Sequence, residues 1–389
     1  MIKRLLKNKI VALSRQFPVV TLTGPRQSGK TTLVKEAFPD WTYISLEELD
    51  NREFAEHDPR GFLSTYSQKA VIDEAQRVPS LFSYLQGVVD RNKRTGQYIL
   101  TGSQNFLLHE RISQSLAGRT AVLKLLPLSM EELPQRNFSR RNYHPLLFRG
   151  FYPRLHTKQV SPTDWYRSYV QTYLERDLRL IKNIPDLGLF QKFVRLCAGR
   201  IGQILNLSSL AQDTGISPNT ARSWISLLES SFLVFLLQPH FRNFNKRLIK
   251  MPKLYFYDSG LACYLLGIET PEQIQTHFLK GSLFESLIIS ELIKYRNHRG
   301  LEANCYYWRD KVGHEIDCLL DFGDRQIPIE IKSGETITSG FFDGLNYWNH
   351  LAGVDPRQGF LIYAGLKNEE RSLGRVISWD KVQEILNKK

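Results

Sequence analysis

Residues 24–31 read Gly24-Pro25-Arg26-Gln27-Ser28-Gly29-Lys30-Thr31, and this stretch decides the predicted fold of the first third of the chain. It matches the pattern G-x-x-x-x-G-K-[ST] at every fixed position. Such glycines let backbone N–H groups turn inward around a polyphosphate, and the following helix points its positive end at the anion. Lys30 is expected to contact the β- and γ-phosphates of ATP, and the Thr31 hydroxyl to bind Mg²⁺. The predicted ATP-binding residues are Gly24, Pro25, Arg26, Gln27, Ser28, Gly29, Lys30, Thr31 and Thr32.

The segments around this loop alternate between strand and helix. Apolar, β-branched runs predict strands at residues 17–23, 41–46, 70–72, 97–101 and 121–126. Helices are predicted at residues 31–38 and 81–91. This alternation predicts an α/β domain with a parallel sheet that helices cover on both faces.

The predicted strand at residues 70–72 ends in two carboxylates, Asp73 and Glu74. In phosphate-loop sites the first acid holds Mg²⁺ through water, and the second can polarise the attacking water. A strand that ends in Asp-Glu is by itself a weak signal, since it is usually a solvated turn. Here it follows Lys30 by 43 positions, which is the order that the chemistry requires. Asp73 and Glu74 are therefore candidate catalytic residues, with Thr31 and Asp73 as candidate Mg²⁺ ligands.

Four sequence pieces, GPRQSGKTTL, VIDEAQRVP, YILTGSQN and SLAGR, resemble AAA+ ATPases. More narrowly, the chain resembles a bacterial and archaeal family with an N-terminal AAA+ domain and a C-terminal region of unassigned function. The resemblance implies that Ser103, together with Gln104, senses the γ-phosphate. It also implies that Arg119 is an arginine finger for the nucleotide of a neighbouring subunit, which requires a homo-oligomer. The alternatives are a strand-end turn residue for Ser103 and a surface arginine for Arg119.

Composition limits the class of protein. The chain has 389 residues, which predicts two or three domains, and its 42% hydrophobic and 23% charged residues exclude a disordered chain. A net charge of +13 favours an anionic partner, meaning nucleic acid, nucleotide or an acidic membrane surface. The four cysteines have no CxxC spacing, so a zinc ribbon and a disulfide scaffold are disfavoured.

The sequence also predicts where the protein acts and how it is divided. No uncharged apolar run approaches the 18 residues of a membrane span, and the N-terminus indicates an amphipathic helix rather than a signal peptide. A cytoplasmic protein with no membrane partner is expected. The alternation of strand and helix signals changes near Leu128, and five arginines and no acid occur between Arg136 and Arg154. Three domains are predicted: an AAA+ domain at 1–135, a helical lid or winged-helix domain at 136–275, and an α/β domain at 276–389.

Residues 208–228, SSLAQDTGISPNTARSWISLL, carry a helix-turn-helix pattern. Ser208 or Ser209 is expected to cap the first helix, Gly215 to form the turn, and Ser217 to cap the second helix with Pro218 at its first position. One interpretation places the second helix in a DNA major groove. The residues predicted to contact DNA are Asn219, Arg222 and Ser223 on this helix and Arg242, Lys246 and Arg247 in the basic segment that follows. The alternative is a winged-helix lid that packs on the ATPase domain and contacts no DNA.

The third region has the element order α-β-β-β-α-β. A helix is predicted at residues 283–295, followed by strands at 305–309, 314–321 and 326–332, a helix at 342–351 and a strand at 359–363. This order describes a compact α/β unit of its own.

Four charged residues of this region are placed to meet. Asp317 and Glu330 lie 13 positions apart, so a hairpin can bring them side by side, and Lys332 shares the strand face of Glu330. Two carboxylates with Glu285 from the helix would hold a divalent metal, and Lys332 would orient or activate water. Glu315 competes with Asp317, because both point the same way from one strand. The pattern resembles the PD-(D/E)xK nuclease fold, also called restriction-endonuclease-like. The alternatives are an ion pair on a sheet and a nuclease scaffold that has lost its activity.

Two function classes remain open on the sequence alone. The first is an ATP-hydrolysing AAA+ enzyme that acts on nucleic acid, with DNA favoured, and whose third domain is a candidate metal-dependent nuclease. The second is an ATP-switched scaffold that binds DNA or protein and carries an inactive nuclease-like domain. A small-substrate kinase is disfavoured, because it has no use for the helix-turn-helix or the third domain.

Overall fold

The computed structural model describes residues 2–103, 115–134, 139–178, 184–240 and 250–387. Gln104, Arg242, Lys246 and Arg247, to which the sequence assigns roles, lie outside these residues. The chain divides into two compact units. The first comprises Met1–Leu128 with Ser230–Phe232 and Arg296–Leu301, and the second comprises Ser129–Glu229, Leu233–Tyr295 and Glu302–Lys389. The division into three domains stays a prediction.

The first unit is built on a five-stranded parallel sheet in the order β2-β3-β4-β1-β5. Its strands are β1 (Val19–Thr23), β2 (Thr42–Ser45), β3 (Ala70–Asp73), β4 (Tyr98–Gly102) and β5 (Thr120–Lys124). Its α-helices are Lys7–Ser14, Lys30–Ala37, Leu49–His57, Pro59–Thr65 and Leu81–Asn92. The predicted parallel sheet is therefore confirmed.

Alternating side chains of this sheet enter two separate cores. Val19 and Ile72 pack against the fourth and fifth helices. Val20 and Val71, each the sequence neighbour of one of those residues, pack with the first and second helices on the other face. Because successive residues of a strand point to opposite faces, an apolar strand needs helices on both sides. This explains why the strand runs are continuously apolar rather than alternating.

The second unit begins with helices. The described α-helices that precede its six-stranded sheet are His144–Arg149, Pro153–Thr157, Pro162–Tyr169, Leu187–Ala198, Leu207–Thr214, Pro218–Ser230, Ser259–Leu265 and Lys280–Asn297. In addition, Val170–Leu178 forms a π-helix. The last of these α-helices continues two residues into the first unit. Among the described residues, no helix is both long and apolar enough to cross a membrane.

The predicted helix-turn-helix is present, with one different cap. Gly215 ends the first helix of the pair at φ +90°, and Ser217 caps the second by accepting a hydrogen bond from the Thr220 N–H at 3.1 Å. The first helix is capped by Asn206, whose Oδ1 accepts from the Ser209 N–H at 3.0 Å. The expectation of a serine cap is therefore wrong by two to three residues, because the helix starts before Ser208.

A two-stranded antiparallel hairpin follows this helix pair. It consists of β6 (Val234–Leu237) and β7 (Lys253–Phe256). Ile204, which lies between the helices Leu187–Ala198 and Leu207–Thr214, forms an antiparallel bridge to Lys253 and adds a third short segment to the hairpin. After β6, the chain runs beside the strand Cys305–Arg309 of the second sheet, because the His240 N–H donates a hydrogen bond to the Tyr307 carbonyl at 2.7 Å. The hairpin is thereby joined to the second sheet.

The second sheet has six strands in the order β12-β13-β11-β10-β9-β8. Its strands are β8 (Cys305–Arg309), β9 (Glu315–Asp321), β10 (Gln326–Lys332), β11 (Phe360–Tyr363), β12 (Glu369–Arg371) and β13 (Gly374–Ser378), and the helices Asp343–Ala352 and Glu384–Asn387 complete the unit. β8, β9 and β10 pair antiparallel, whereas β10–β11 and β11–β13 pair parallel. The predicted α-β-β-β-α-β order is confirmed, and β12 and β13 extend it.

Asp258 holds together three parts of the second unit. Its carboxylate is buried and accepts hydrogen bonds from the Phe151 N–H at 2.7 Å, the Tyr166 hydroxyl at 2.6 Å and the Leu261 N–H at 2.9 Å. The last bond caps the N-terminus of the helix Ser259–Leu265. The other two bonds tie the helix start to distant segments.

Replacing Asp258 with alanine is expected to destabilise the second unit by about 3 kcal/mol, because buried donors lose a charged acceptor. Tyrosine and tryptophan fluorescence in urea measures the free energy of unfolding, and Trp41 is the only tryptophan of the first unit. The control is Asp164→Ala, which removes an acid whose side chain is 68% exposed and should change stability by less than about 0.5 kcal/mol. Equal stability of the two variants would contradict this role for Asp258.

Candidate nucleotide site and acidic cluster

The loop between β1 and the helix Lys30–Ala37 has the backbone of an anion cradle. Gly29 adopts φ +93°, and a Cβ at Gly24 would collide with the Leu125 carbonyl oxygen. The Ser28 hydroxyl is buried without a hydrogen-bond partner among the described residues. A buried hydroxyl in such a loop is an available donor, so the loop fits a polyphosphate.

Lys30 is held inside this loop. Its side chain is 5% exposed, and its ammonium group donates to the carbonyl oxygens of Gly24 and Pro25, each at 2.9 Å. Burial lowers the pKa of Lys30, although the nearby carboxylates of Glu74 and Asp73 oppose this effect. An anionic phosphate would supply the negative charge that a buried ammonium group requires.

Asp73 lies at the carboxyl end of β3 and collects three hydroxyl groups. Its Oδ2 accepts from Thr31 Oγ1 at 2.7 Å and from the Tyr43 hydroxyl at 2.5 Å, and its Oδ1 accepts from Thr101. Burial and the bond to Asp73 raise the pKa of Tyr43. The two predicted Mg²⁺ ligands, Thr31 and Asp73, are thus adjacent. Hydroxyl and carboxylate oxygens are suitable for Mg²⁺, so this pair fits the ion.

Glu74 turns away from β3 in a left-handed conformation with φ +55°. Its Oε2 accepts hydrogen bonds from Ser103 Oγ at 3.0 Å and from Gln76 Nε2. A non-glycine residue in this region of backbone space is strained, which is common at functional sites. Ser103, which follows β4, therefore lies beside the second acid, and its role at the terminal phosphate stays a prediction.

Sequence reasoning missed three residues of this site: Tyr43, Thr101 and Arg4. Arg4 is buried, and its guanidinium donates to the carbonyls of Ser28 at 2.6 Å and Leu126 at 2.8 Å. It thereby braces the phosphate loop from the N-terminal segment. Thr101 could have been found from its position at the end of a predicted strand, but nothing in the sequence pairs Arg4 with the loop.

Arg119 lies at the opposite edge of the sheet from the loop. It immediately precedes β5, whose first residue, Thr120, is in register with the first residue of β1. Its guanidinium forms a two-bond ion pair with Asp90, at 2.5 and 2.9 Å. The bond to Arg119 lowers the pKa of Asp90. The five-residue strand β1, at about 3.3 Å per residue, separates the level of Arg119 from the phosphate loop. Arg119 is therefore too far from the loop of its own chain to act on it.

The predicted acidic residues of the second unit converge. Asp317 Oδ2 accepts the Ile331 N–H at 2.8 Å, and Lys332 Nζ lies 2.6 Å from Glu330 Oε2 and 3.6 Å from Asp317 Oδ2. Glu285, on the helix Lys280–Asn297, is linked by a second lysine to Glu315, which lies on the same strand as Asp317. The expectation that a hairpin places Asp317 beside Glu330 is therefore met.

That second lysine is Lys253 from β7, which sequence reasoning left without a role. Its Nζ lies 3.1 Å from Glu285 Oε1 and also forms an ion pair with Glu315, while Tyr255 donates to Glu285. Arg309 Nη1 pairs with the other oxygen of Glu315 at 2.9 Å. The acidic cluster consists of Glu285, Glu315, Asp317, Glu330, Lys253, Arg309 and Lys332.

Burial and charge act in opposite directions within the acidic cluster. Burial raises the pKa of Glu285 to about 7, with Lys253 opposing and Asp317 reinforcing this shift. Burial and the charge of Asp317 raise the pKa of Glu330 well above its usual value. Burial alone would lower the pKa of Lys253, but the carboxylates outweigh it and raise that pKa.

The donor set of this cluster does not fit a divalent metal as it is arranged. Every carboxylate of the cluster is bonded to a lysine or an arginine. Over the described ranges, no group of three or more His, Cys, Asp or Glu side chains is placed to hold a metal ion. Protein cations thus occupy the positions around these oxygens.

The second helix of the helix-turn-helix presents a polar face to solvent. Asn219 and Arg222 are exposed, Ser223 is half-buried, and Trp224 and Ile225 enter the core. Asn219 and Arg222 are therefore accessible, and their contact with DNA stays a prediction.

Family models match the chain in three consecutive ranges. Residues 16–134 match the family described as AAA domain. Residues 140–272 and 280–382 match two families described as domains of unknown function, DUF8612 and DUF4143. The AAA range contains the phosphate loop, Asp73, Glu74, Ser103 and Arg119.

Two solved structures resemble parts of the chain. The Walker-type ATPase PABY2304 of Pyrococcus abyssi is 15% identical, with a TM-score of 0.46 over 67% of this chain and 94% of that one. AMPPCP-bound DnaA from Aquifex aeolicus is 15% identical, with a TM-score of 0.30 over 58% of this chain and 86% of that one.

Two curated relatives are similar along most of the sequence. They are the uncharacterized proteins Rv2008c of Mycobacterium tuberculosis (strain ATCC 25618 / H37Rv) and Mb2031c of Mycobacterium bovis (strain ATCC BAA-935 / AF2122/97). Each is 33% identical over 325 residues, which cover 82% of this chain and 71% of the relative. With the matched AAA domain and the phosphate loop described above, the chain belongs to the same family as Rv2008c and Mb2031c, a family of P-loop ATPases with an AAA domain.

Proposed function

We propose that this protein hydrolyses Mg-ATP at the phosphate loop and uses the nucleotide cycle to act on nucleic acid, with DNA as the favoured partner. The observation on which the proposal rests is the hydrogen bond between Thr31 and Asp73 at 2.7 Å, with Thr31 directly following the loop that holds the buried Ser28 hydroxyl. The pair is suited to Mg²⁺, and the loop hydroxyl is suited to phosphate.

The chain's own residues divide the chemistry among them. Lys30 and the loop N–H groups bind and orient the phosphates, and Mg²⁺ when bound neutralises developing charge on them. Glu74 takes a proton from the attacking water as the terminal phosphorus–oxygen bond of ATP breaks, leaving ADP and phosphate. Ser103, bonded to Glu74 at 3.0 Å, is placed to report whether the terminal phosphate is present.

The order of helices and strands around the helix-turn-helix supports a winged helix and, with it, nucleic acid as the partner. The order along the chain is helix, strand, helix, helix, strand, strand. It begins with the helix Leu187–Ala198, continues with the bridge residue Ile204 and the helix pair, and ends with the β6–β7 hairpin. The exposed Arg222 and Asn219 lie on the outer face of the second helix. The net charge of +13 favours the same partner.

The second sheet supports a nuclease-like fold that binds rather than cuts. Its order, with three antiparallel strands followed by a parallel crossover, is the α-β-β-β-α-β order that led to this resemblance. The protein cations on every carboxylate of the acidic cluster favour the inactive alternative. In this proposal the domain docks a partner and does not cut nucleic acid.

The test measures retardation of labelled duplex DNA, the same DNA as a single strand and the matching RNA, with and without ATP and Mg²⁺. Wild-type protein is expected to retard duplex DNA without cutting it. Arg222→Ala should weaken this binding at least about fivefold, the lower end for an arginine that contacts a base.

The matched control is Arg357→Ala, which removes an exposed arginine paired with Asp355 elsewhere in the second unit. Its affinity for DNA should equal that of the wild type. Equal retardation by the Arg222 and Arg357 variants would remove the winged helix from the proposal. Absence of retardation under all conditions would point to a protein partner instead.

A further inference from the structure

We propose that Lys253 is a built-in cation of the acidic cluster: its ammonium group takes the place of a divalent metal between Glu285 and Glu315, and removing it creates a metal site. This inference concerns the second unit alone. It does not depend on ATP hydrolysis or on nucleic-acid binding, so it can fail or hold independently of the proposed function.

The position of Lys253 is that of a bridging ion. Its Nζ contacts carboxylate oxygens from two elements, Glu285 of the helix Lys280–Asn297 and Glu315 of β9. The side chain is 5% exposed, so water cannot replace it as the main partner of these oxygens. Buried carboxylates without a cation are very unfavourable, which makes some positive group obligatory here.

The backbone holds Lys253 in this position. It is paired with Leu237 in β6 on one side and bridged to Ile204 on the other. Tyr255, two residues further along β7 and hence on the same face, donates to the same oxygen of Glu285. Strand β7 thus supplies two donors to Glu285.

The charge balance shows what the removal of Lys253 would do. The acidic cluster sets four carboxyl groups against three protein cations. Removing Lys253 takes away one of these cations together with its ion pairs to Glu285 and Glu315, and a bound divalent cation would restore the missing positive charge. Among the described residues, Glu285 Oε1 would keep only its bond from Tyr255, and Glu315 Oε1 would lose its ion pair, so both groups would offer carboxylate lone pairs of the type that Mg²⁺ and Mn²⁺ prefer.

The experiment is calorimetric titration of Mn²⁺ into the nucleotide-free full-length protein, as wild type and as Lys253→Met. The variant is expected to bind one more Mn²⁺ than the wild type, at least tenfold more tightly than any weak wild-type binding at this cluster. Mn²⁺ should also raise the Tm of the variant, because a ligand that binds only the folded state stabilises it. Adding Glu285→Gln to Lys253→Met should abolish the gained binding.

The matched control is Lys294→Met. Lys294 is also fully buried on the helix Lys280–Asn297 and pairs with a glutamate, Glu291, at 3.1 Å. It lies outside the acidic cluster, so its removal should add no Mn²⁺ site, and any binding at the nucleotide site is common to all variants. A gain that is equal in both methionine variants would overturn the proposal.

Two further outcomes are decisive. Tight Mn²⁺ binding by the wild type that is lost in Glu285→Gln would show that Lys253 does not exclude the metal, and would overturn the proposal. Where Lys253→Met fails to fold without metal, recovery of its fold by Mn²⁺ supports the proposal. If neither Lys253→Met nor Lys253→Gln folds or gains binding in Mn²⁺, the lysine is a structural counter-ion only and the proposal is wrong.

Discussion

ATP turnover by Lys30→Ala is expected to fall at least about 10³-fold below that of the wild type, the upper range for loss of one charged group that stabilises a transition state. Lys30 is the buried cation of the phosphate loop, and its ammonium group now bonds to two loop carbonyls, those of Gly24 and Pro25. Phosphate release measured under saturating Mg-ATP gives the rate.

The fold of the first unit should survive this substitution. Burial disfavours the charge of Lys30, so its removal eliminates an unfavourable buried ammonium group while two loop carbonyls lose their donor. Far-ultraviolet circular dichroism and the Tm check that the fold remains. The control is Lys3→Ala, which removes an exposed lysine of the same unit and should turn over ATP like the wild type. Undiminished turnover by Lys30→Ala would refute the assignment of this loop as the hydrolytic site.

The phosphate loop illustrates how much sequence alone could predict. Its motif is local: the glycines, Lys30 and Thr31 lie within eight residues, and the flanking strand and helix are set by their own apolar pattern. The same holds for the α-β-β-β-α-β order of the second sheet, whose strands differ from the predicted spans by one residue at most. The local sequence pattern is therefore sufficient to predict these strands and helices and the phosphate-loop motif.

Contacts between distant segments could not be predicted in this way. The strand order places β2 beside β3, which brings Tyr43 to Asp73, yet strand order is not encoded in periodicity. Lys253 is 32 positions from Glu285 and reaches it only because the hairpin joins the second sheet. β12 was missed for a different reason, because three charged residues at an edge strand lack an apolar signal.

The second large effect on ATP turnover is expected from the loss of Arg119. Arg119→Ala is expected to reduce ATP turnover about 10³-fold, the lower end for an arginine finger, while nucleotide binding remains. The side chain lies at the sheet edge opposite to its own loop, so such an effect has to come from a neighbouring subunit. Its partner Asp90 is an exposed acid, and exposed ion pairs contribute little to stability, so Arg119 is available to a stronger anion. Turnover is measured at several protein concentrations, because the proposed site exists only in an oligomer.

Asp90→Ala is the matched control, since it removes the partner of Arg119 and leaves the arginine in place; its turnover should equal or exceed that of the wild type. The decisive measurement mixes Arg119→Ala with Lys30→Ala, each inactive alone. A finger that acts in trans predicts recovered activity, because Arg119 of a Lys30→Ala subunit completes the intact loop of an Arg119→Ala subunit. Two inactive variants that stay inactive when mixed, although they co-assemble, would assign Arg119 a structural role through Asp90. Full activity of Arg119→Ala alone would exclude the finger altogether.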